Sequence, residues 1–258
     1  MLFRSSTARD TAELADDFLG TSIADETDEV SLVDFDPDGE VKVVAAALYP
    51  HSHLPESQIL ALVDAMSVDR RTEILRAYVG DRENRRHRPG RAFERTDYRF
   101  DILSDYGAFR DLQRHRMLTI EWQPLTPYHG YSKPELLDAS GTGALFDEVM
   151  DRSSGLFEAL VGEHPQQASY AVSMAYRLRY VMQFNAREAM HMLELRSSPQ
   201  GHPAYRRVAL EMHRQIAEVA GHRAIAAAMT HMTTEAPELE RLASERAAER
   251  RRGSAQAQ

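Results

Sequence analysis

Residues 114–116 read Arg-His-Arg, two guanidiniums flanking one imidazole. On a helix end the three would splay apart. On an extended exit Arg114 and Arg116 would fall on one side. Either arrangement brings both within reach of a single anionic ligand, and each charge-assisted hydrogen bond would contribute about 1.5–3 kcal/mol. A solvated helix end stabilised by its own dipole would use the same residues. The second chemical stretch is "FNAREAMHMLELR", residues 184–196. Arg187, His191 and Glu194 share one helical face by i, i+4, i+7 spacing, while Met190 and Leu193 can face a core. Such a stripe suits a helix that faces a ligand and equally a plain surface helix. Glu188 and His191 also form Glu-x-x-His, half of a di-iron carboxylate site. No second copy occurs in the chain, so no metal is expected. In "SSPQGHPAYRR", His202 and Pro203 fall in a loop before a helix.

Other chemistries are excluded by what the sequence lacks. There are no cysteines, which removes disulfides, cysteine-ligated zinc, iron–sulfur clusters and a thiolate nucleophile. No G-x-S-x-G nucleophile elbow, no dinucleotide G-x-G-x-x-G after a strand and no Walker loop is present. The net charge is −9, with twelve acids against Arg4 and Arg9 in residues 1–40, and ten arginines against six acids in residues 82–116. An acidic chain with one arginine-dense region is a poor nucleic-acid binder and a reasonable binder of a small anion. Only Lys42 and Lys133 are lysines. The arginine excess reflects either genomic base composition or a use for the planar guanidinium fork. No apolar run approaches the roughly 20 residues of a membrane span, and the N-terminus lacks a signal-peptide pattern, so a cytoplasmic protein without membrane partners is expected.

The elements that must position these residues follow from periodicity. Residues 29–36 alternate as a strand. The next segment, through Tyr49, is helical with Asp38 as a cap. Two short amphipathic helices follow, carrying Ile59, Leu60, Leu62 and Val63, then Ile74, Leu75 and Tyr78, the second closed by Gly80. Residues 81–95 form a basic loop with a Pro-Gly turn. "TDYRFDILSD" puts Tyr98, Phe100 and Ile102 on one face of a strand. A helix then runs into Arg-His-Arg. After a turn-rich stretch, residues 143–162 and 166–176 read as helices and "RLRYVMQF" as a strand. Asn185 opens the helix that carries Glu188 to Arg196, and residues 205–251 are mostly helical. Strands and helices do not alternate regularly, which argues against a doubly wound parallel sheet. The fold class is therefore α+β, helices around a small, mostly antiparallel sheet. A single domain spans 1–258, with an acidic N-terminal segment at 1–28 and a frayed charged tail at 245–258.

Taken in order, "FE" at 93–94, "RHR" at 114–116, "NAREAMHMLELR" at 185–196 and a histidine at 202 resemble the flavin-dependent thymidylate synthases. The resemblance covers about residues 40–220. It implies an α+β homotetramer with sites shared between subunits. It also implies FAD as relay and hydride donor, with NADPH and methylenetetrahydrofolate as co-substrates and conversion of dUMP to dTMP. The absence of cysteine agrees, since the other class of thymidylate synthase attacks uracil with a thiolate. Carried over by position, Glu94, Arg114, His115, Arg116, Asn185, Arg187, His191 and His202 match flavin contacts. Arg196 matches the arginine that holds and polarises the uracil, and Gln123 and Arg179 are expected at the nucleotide.

The sequence departs from the family pattern on one side only. Where the family has a serine after Arg-His-Arg, this chain has Pro124, and where an arginine meets phosphate it has Thr126. Asp111 replaces a glutamine and Ser169 a second phosphate arginine. The flavin half is kept and the phosphate half is rewritten. Loss of two arginines is expected to weaken dUMP binding unless Arg177 or Arg179 compensates. Two functions stay open: an active enzyme on dUMP or a related uracil nucleotide, and a catalytically impaired flavin-binding or assembly-partner homologue.

Overall fold

Strict alternation builds the sheet. In β2 (Asp97–Asp105), Tyr98, Phe100 and Ile102 are fully buried while Asp97 and Arg99 are exposed. In β4 (Arg177–Asn185), Leu178, Tyr180, Met182 and Phe184 are buried. The two strands pair antiparallel without a break, from Asp97 opposite Asn185 to Asp105 opposite Arg177. With period-2 side chains, the buried apolar residues of both strands then meet one core, while Leu103 and Val181 fall on the opposite face. β1 (Val30–Phe35) adds to β2 with an irregularity between Leu32 and Asp34, and β3 (Thr119–Trp122) adds to β4. The order is β1-β2-β4-β3, antiparallel throughout. The protein is thus α+β around a four-stranded antiparallel sheet, as its sequence led us to expect. The structure, a computed structural model, describes residues 5–20, 22–23 and 25–234.

Among the described residues eleven α-helices accompany the sheet. α1 (Ser5–Leu19) lies in the acidic segment, for which the sequence suggested no element. α2 (Gly39–Leu48) is apolar almost all round and accordingly buried. Asp38 stands at its N-cap position without a side-chain capping bond; the carboxylate of Asp36 instead accepts from the Asp38 N–H and pairs with Lys42. α3 (Glu56–Asp64) buries Ile59 and Val63 and leaves Leu62 exposed. α4 (Val68–Val79) starts on the Ser67 cap and ends at Gly80, whose φ of +67° suits glycine. α5 (Tyr106–Leu112) follows β2 directly. α6 (Glu135–Ala139), α7 (Gly143–Val161) and α8 (Pro165–Ala168) come next. α9 (Ala186–Arg196), α10 (Pro203–Glu218) and α11 (Arg223–Ala227) complete the set.

Two expectations are corrected. Helical structure in 166–176 stops at Ala171, because the chain must straighten to enter β4. Its carbonyls at Met174 and Tyr176 accept from Gly107 and Tyr106, and Tyr176 bridges Tyr131. The helix expected from Tyr205 onward breaks at Gly221, where φ is +73°. The tail at 245–258 lies outside the described residues. The main core fills the space between the sheet and α2, α4, α9, α10 and α11; a satellite of Met150, Phe157, Ala168, Val172 and Tyr176 sits around α7 and α8. No described helix is long and apolar enough to cross a membrane.

Candidate functional site

α9 organises the site. It begins immediately after β4, where the Asn185 side chain accepts from the Glu188 N–H at 3.0 Å. This is an ordinary N-cap, so the Asn185 oxygen is already engaged. The helix buries Ala189, Met190, Met192 and Leu193 in the core. Its polar residues reach three different partners.

Glu188 and Arg196 hold His115 between them. The Nδ1 of His115 lies 3.0 Å from Glu188 Oε1, and Arg196 Nε donates to His115 Nε2 at 3.1 Å. A guanidinium can only donate, so Nε2 accepts and Nδ1 carries the proton toward Glu188. Arg196 also donates through Nη2 to the Asp111 carbonyl, and its Nη1 lies 3.7 Å from the Asp111 carboxylate. The Tyr205 ring lies 5.3 Å from the Arg196 guanidinium carbon, a cation–π contact. α5 stops at Leu112, and Arg-His-Arg follows in an irregular turn. His115 points inward, while Arg114 and Arg116 stay exposed. Exposure thus alternates across the three residues, although the backbone here is a turn and not the extended exit. Arg114 has only a loose ion pair with Asp111, at 3.8 Å.

His191 stacks edge-on against His115, with ring centroids 5.6 Å apart. Burial pushes its pKa below the usual histidine value. Glu188 opposes that shift, while His115, Arg85 and Arg88 add to it. Ligand atoms of His115, Glu188 and His191 come within 4.8 Å of one another, close enough for one ion. The hydrogen bonding works against such an ion. A metal on Nδ1 of His115 would leave a proton on Nε2, facing the Nε–H of Arg196.

Arg187 reaches the other way. It donates to the Pro89 carbonyl at 3.0 Å and to Glu94 at 2.9 Å, and Glu94 also accepts from Arg91. These arginines hold the Glu94 carboxyl below its usual pKa, against the effect of burial. Glu194 does not face a ligand. It is buried and takes two bonds of 2.6 Å from Arg82, itself buried, and one from the His231 N–H. Arg82 also donates to the carbonyls of His87 and Arg85, shaping the basic loop. His202 caps α10 by accepting from the Ala204 N–H and lies near Tyr205, ring centroids 6.4 Å apart.

The residues expected at the nucleotide divide into two groups. Arg196 belongs to the His115 cluster. Gln123 and Arg179 meet at the far end of β4, where the Gln123 N–H donates to the Arg179 carbonyl and the Gln123 side chain lies 3.2 Å from His129. Arg179 is committed to Asp101 and Thr27. It lies on the sheet face opposite the core, about 13 Å along the strand from Gln183, the partner of Thr119. Burial and the charges of Arg179 and Arg177 push the His129 pKa down. Thr126 accepts locally from the Tyr128 N–H, and the Ser169 hydroxyl donates to the Gln166 carbonyl.

Three functional side chains escaped sequence reasoning. Arg82 was one of ten arginines, with no local sign that its partner stood 112 positions away. Tyr205 lies one helical turn beyond His202, and that spacing could have drawn notice. Glu188 was read as half of a metal motif, although Glu-x-x-His also lets a carboxylate serve a neighbouring imidazole.

Comparisons with known proteins agree with this arrangement. The family described as thymidylate synthase complementing protein matches residues 31–221. A Chlamydia pneumoniae protein named only UPF0159 is 43% identical over 188 residues, 72% of this chain and 35% of its own length. A UPF0159 protein of Thermoplasma acidophilum is 36% identical over 180 residues, 69% of this chain and 36% of its own. The chain thus spans about a third of these relatives. Among solved structures, the UMP/dUMP methylase PolB from Streptomyces cacaoi bound with 5-Br dUMP superposes with a TM-score of 0.57 at 17% identity. The superposition covers 77% of this chain and 94% of PolB, a likeness of fold. From the matched span and from Arg-His-Arg seated on the α9 helix, this chain belongs to the thymidylate synthase complementing protein family, the flavin-dependent thymidylate synthases.

Proposed function

We propose that the protein binds FAD and a uracil nucleotide, and transfers a one-carbon unit to the pyrimidine as a cytoplasmic homotetramer. The observation that carries this reading is Arg196, held in one orientation by His115, Asp111 and Tyr205 beside the exposed Arg114 and Arg116. The donor set fits a flavin diphosphate, since the two exposed guanidiniums that flank the buried His115 can donate to its oxygens. When bound, FAD would relay the one-carbon unit from methylenetetrahydrofolate and supply the hydride after reduction by NADPH. The chain's own residues do the rest. Arg114 and Arg116 hold the anion, Glu188 fixes the His115 proton on Nδ1, and His115 in turn orients Arg196. A guanidinium aimed at a uracil carbonyl stabilises the enolate that develops when carbon five becomes nucleophilic. Gln123 and Arg179 occupy a different face from Arg196, an arrangement suited to a site completed by a second copy.

A second reading rests on Asp111. Its carboxylate and carbonyl both engage Arg196, so the cation that would polarise uracil is partly neutralised. Pro124, Thr126 and Ser169 offer no guanidinium to a phosphate. On this reading the protein is an impaired, flavin-binding homologue or assembly partner, or prefers another pyrimidine. One experiment decides between them: FAD content of the purified protein, followed by calorimetric titration with dUMP and deoxyuridine and a turnover assay. Weak dUMP binding without turnover supports the second reading; micromolar dUMP affinity with dTMP formation supports the first. A preparation without flavin refutes the first and leaves only the assembly partner of the second.

A further inference from the structure

The basic loop is stapled to α9 at two ends, in antiparallel sense. Arg82 is bonded to Glu194, and Pro89 accepts from Arg187. On α9, positions 187, 191 and 194 share a face. The loop residues between the staples, 83–88, therefore run past the helix face that carries His191. They include Arg85, Arg86 and Arg88, none of which has a carboxylate partner among the described residues. His191 is exposed, and its ring abuts His115 between the exposed Arg114 and Arg116. Positive groups thus converge on His191 from two separate segments, and on the loop side three arginines face a single carboxylate, Glu83. Like charges held together by buried staples are costly unless an anion joins them.

We propose that Arg85 and Arg88, with His191 beneath them, form a phosphoryl-binding subsite that replaces the phosphate arginines missing at Thr126 and Ser169. The ligand chemistry is a phosphate or diphosphate oxyanion; its assignment to a nucleotide rests on the function proposed above, whereas the subsite itself does not. Glu188 and His115 lie against His191, the charges of Arg85 and Arg88 act on it from the loop, and Glu83 and His87 are the other titratable groups of that loop. Binding of an anion offsets the two arginines, so His191 takes up a proton as the ligand enters, and affinity rises as pH falls from 8 to 6.

The test compares wild type with Arg85→Gln/Arg88→Gln and with a remote control that removes two surface charges, Arg70→Gln/Arg152→Gln. Calorimetry with inorganic pyrophosphate, dUMP and FAD is run in buffers of different ionisation enthalpy. Pyrophosphate affinity is expected to fall by roughly tenfold for each loop arginine, with the control much less affected, and His191→Asn is expected to lower the proton uptake below that of wild type, the remainder being titration of the ligand's own phosphates. Loss of affinity for dUMP but not FAD identifies the nucleotide phosphate as occupant; the reverse identifies the flavin diphosphate; both outcomes support the subsite. Unchanged affinity for all three ligands, or a loss no larger than in the control, overturns it and leaves FAD binding by Arg-His-Arg intact. If wild type binds neither nucleotide yet its pyrophosphate affinity depends on Arg85 and Arg88, the subsite stands and the proposed function fails.

Discussion

Replacing Arg82 by methionine should be among the most damaging single changes available to this protein. Its side chain is 3% exposed and that of Glu194 is 0% exposed. Two bonds of 2.6 Å join them. The substitution strands a carboxylate in the core with only the His231 N–H, 3.2 Å away, left to it. Breaking a buried pair from one side costs about 3–5 kcal/mol, against a typical total stability of about 5–15 kcal/mol. For a domain of this size that corresponds to a fall of roughly 6–20 °C in Tm. Removing both charges together, Arg82→Met with Glu194→Leu, leaves no buried charge unpaired and should recover much of the loss, less the bonds to the His231 N–H and to the His87 and Arg85 carbonyls. Urea denaturation of the wild type, both single variants and the double variant closes the cycle. The double variant should still lose affinity for pyrophosphate, because the loop no longer has its staple. A single-variant cost below about 1 kcal/mol, or a double variant as unstable as the singles, refutes the claim that this pair is buried and fixes the loop.

Arg114→Ala/Arg116→Ala should release FAD while leaving Tm essentially unchanged, since both side chains are exposed; a yellow double variant after gel filtration contradicts this. Asp111→Gln frees Arg196 of its carboxylate partner and should tighten dUMP binding several-fold by calorimetry; no gain would mean that Asp111 does not restrain Arg196. Stability should fall as pH drops. Burial pushes the pKa of His222, His191 and His129 below the ordinary value of 6.5, so the unfolded chain binds more protons in acid. Their contribution is complete above pH 6.5 and is lost as pH falls through the depressed values. His222 is 2% exposed and bonded through Nδ1 to the Tyr98 hydroxyl at 2.8 Å. Thermal melts from pH 8 to 5 should therefore flatten in His222→Asn; an unchanged slope would remove His222 from the account.

Local pattern carries a good deal of this protein. Alternation in 97–105 and 177–185 marks both central strands and says which side chains are buried, because pleating is a property of the chain itself. The spacing in 184–196 likewise marks α9, and Asn185 marks its start. The edge strand β3 was not legible: four residues, three of them exposed or nearly so, show no period, and only the open edge of β4 makes them a strand. The site follows the same division. The sequence names Arg114, His115, Arg116 and Arg196 as charged groups and, with the family resemblance, sets the first three at a flavin and Arg196 at a uracil ring. It cannot say that His115 turns inward while its neighbours stay out, nor that Arg196 leans on a histidine 81 positions away. Nor can it show that Glu194, on the same helical stripe as His191, is a buried anchor. Helical spacing fixes which residues share a face, but what that face meets is set by the return of distant segments. The pairing of β2 with β4 brings the two ends of the site together, and that pairing exists only in the folded chain.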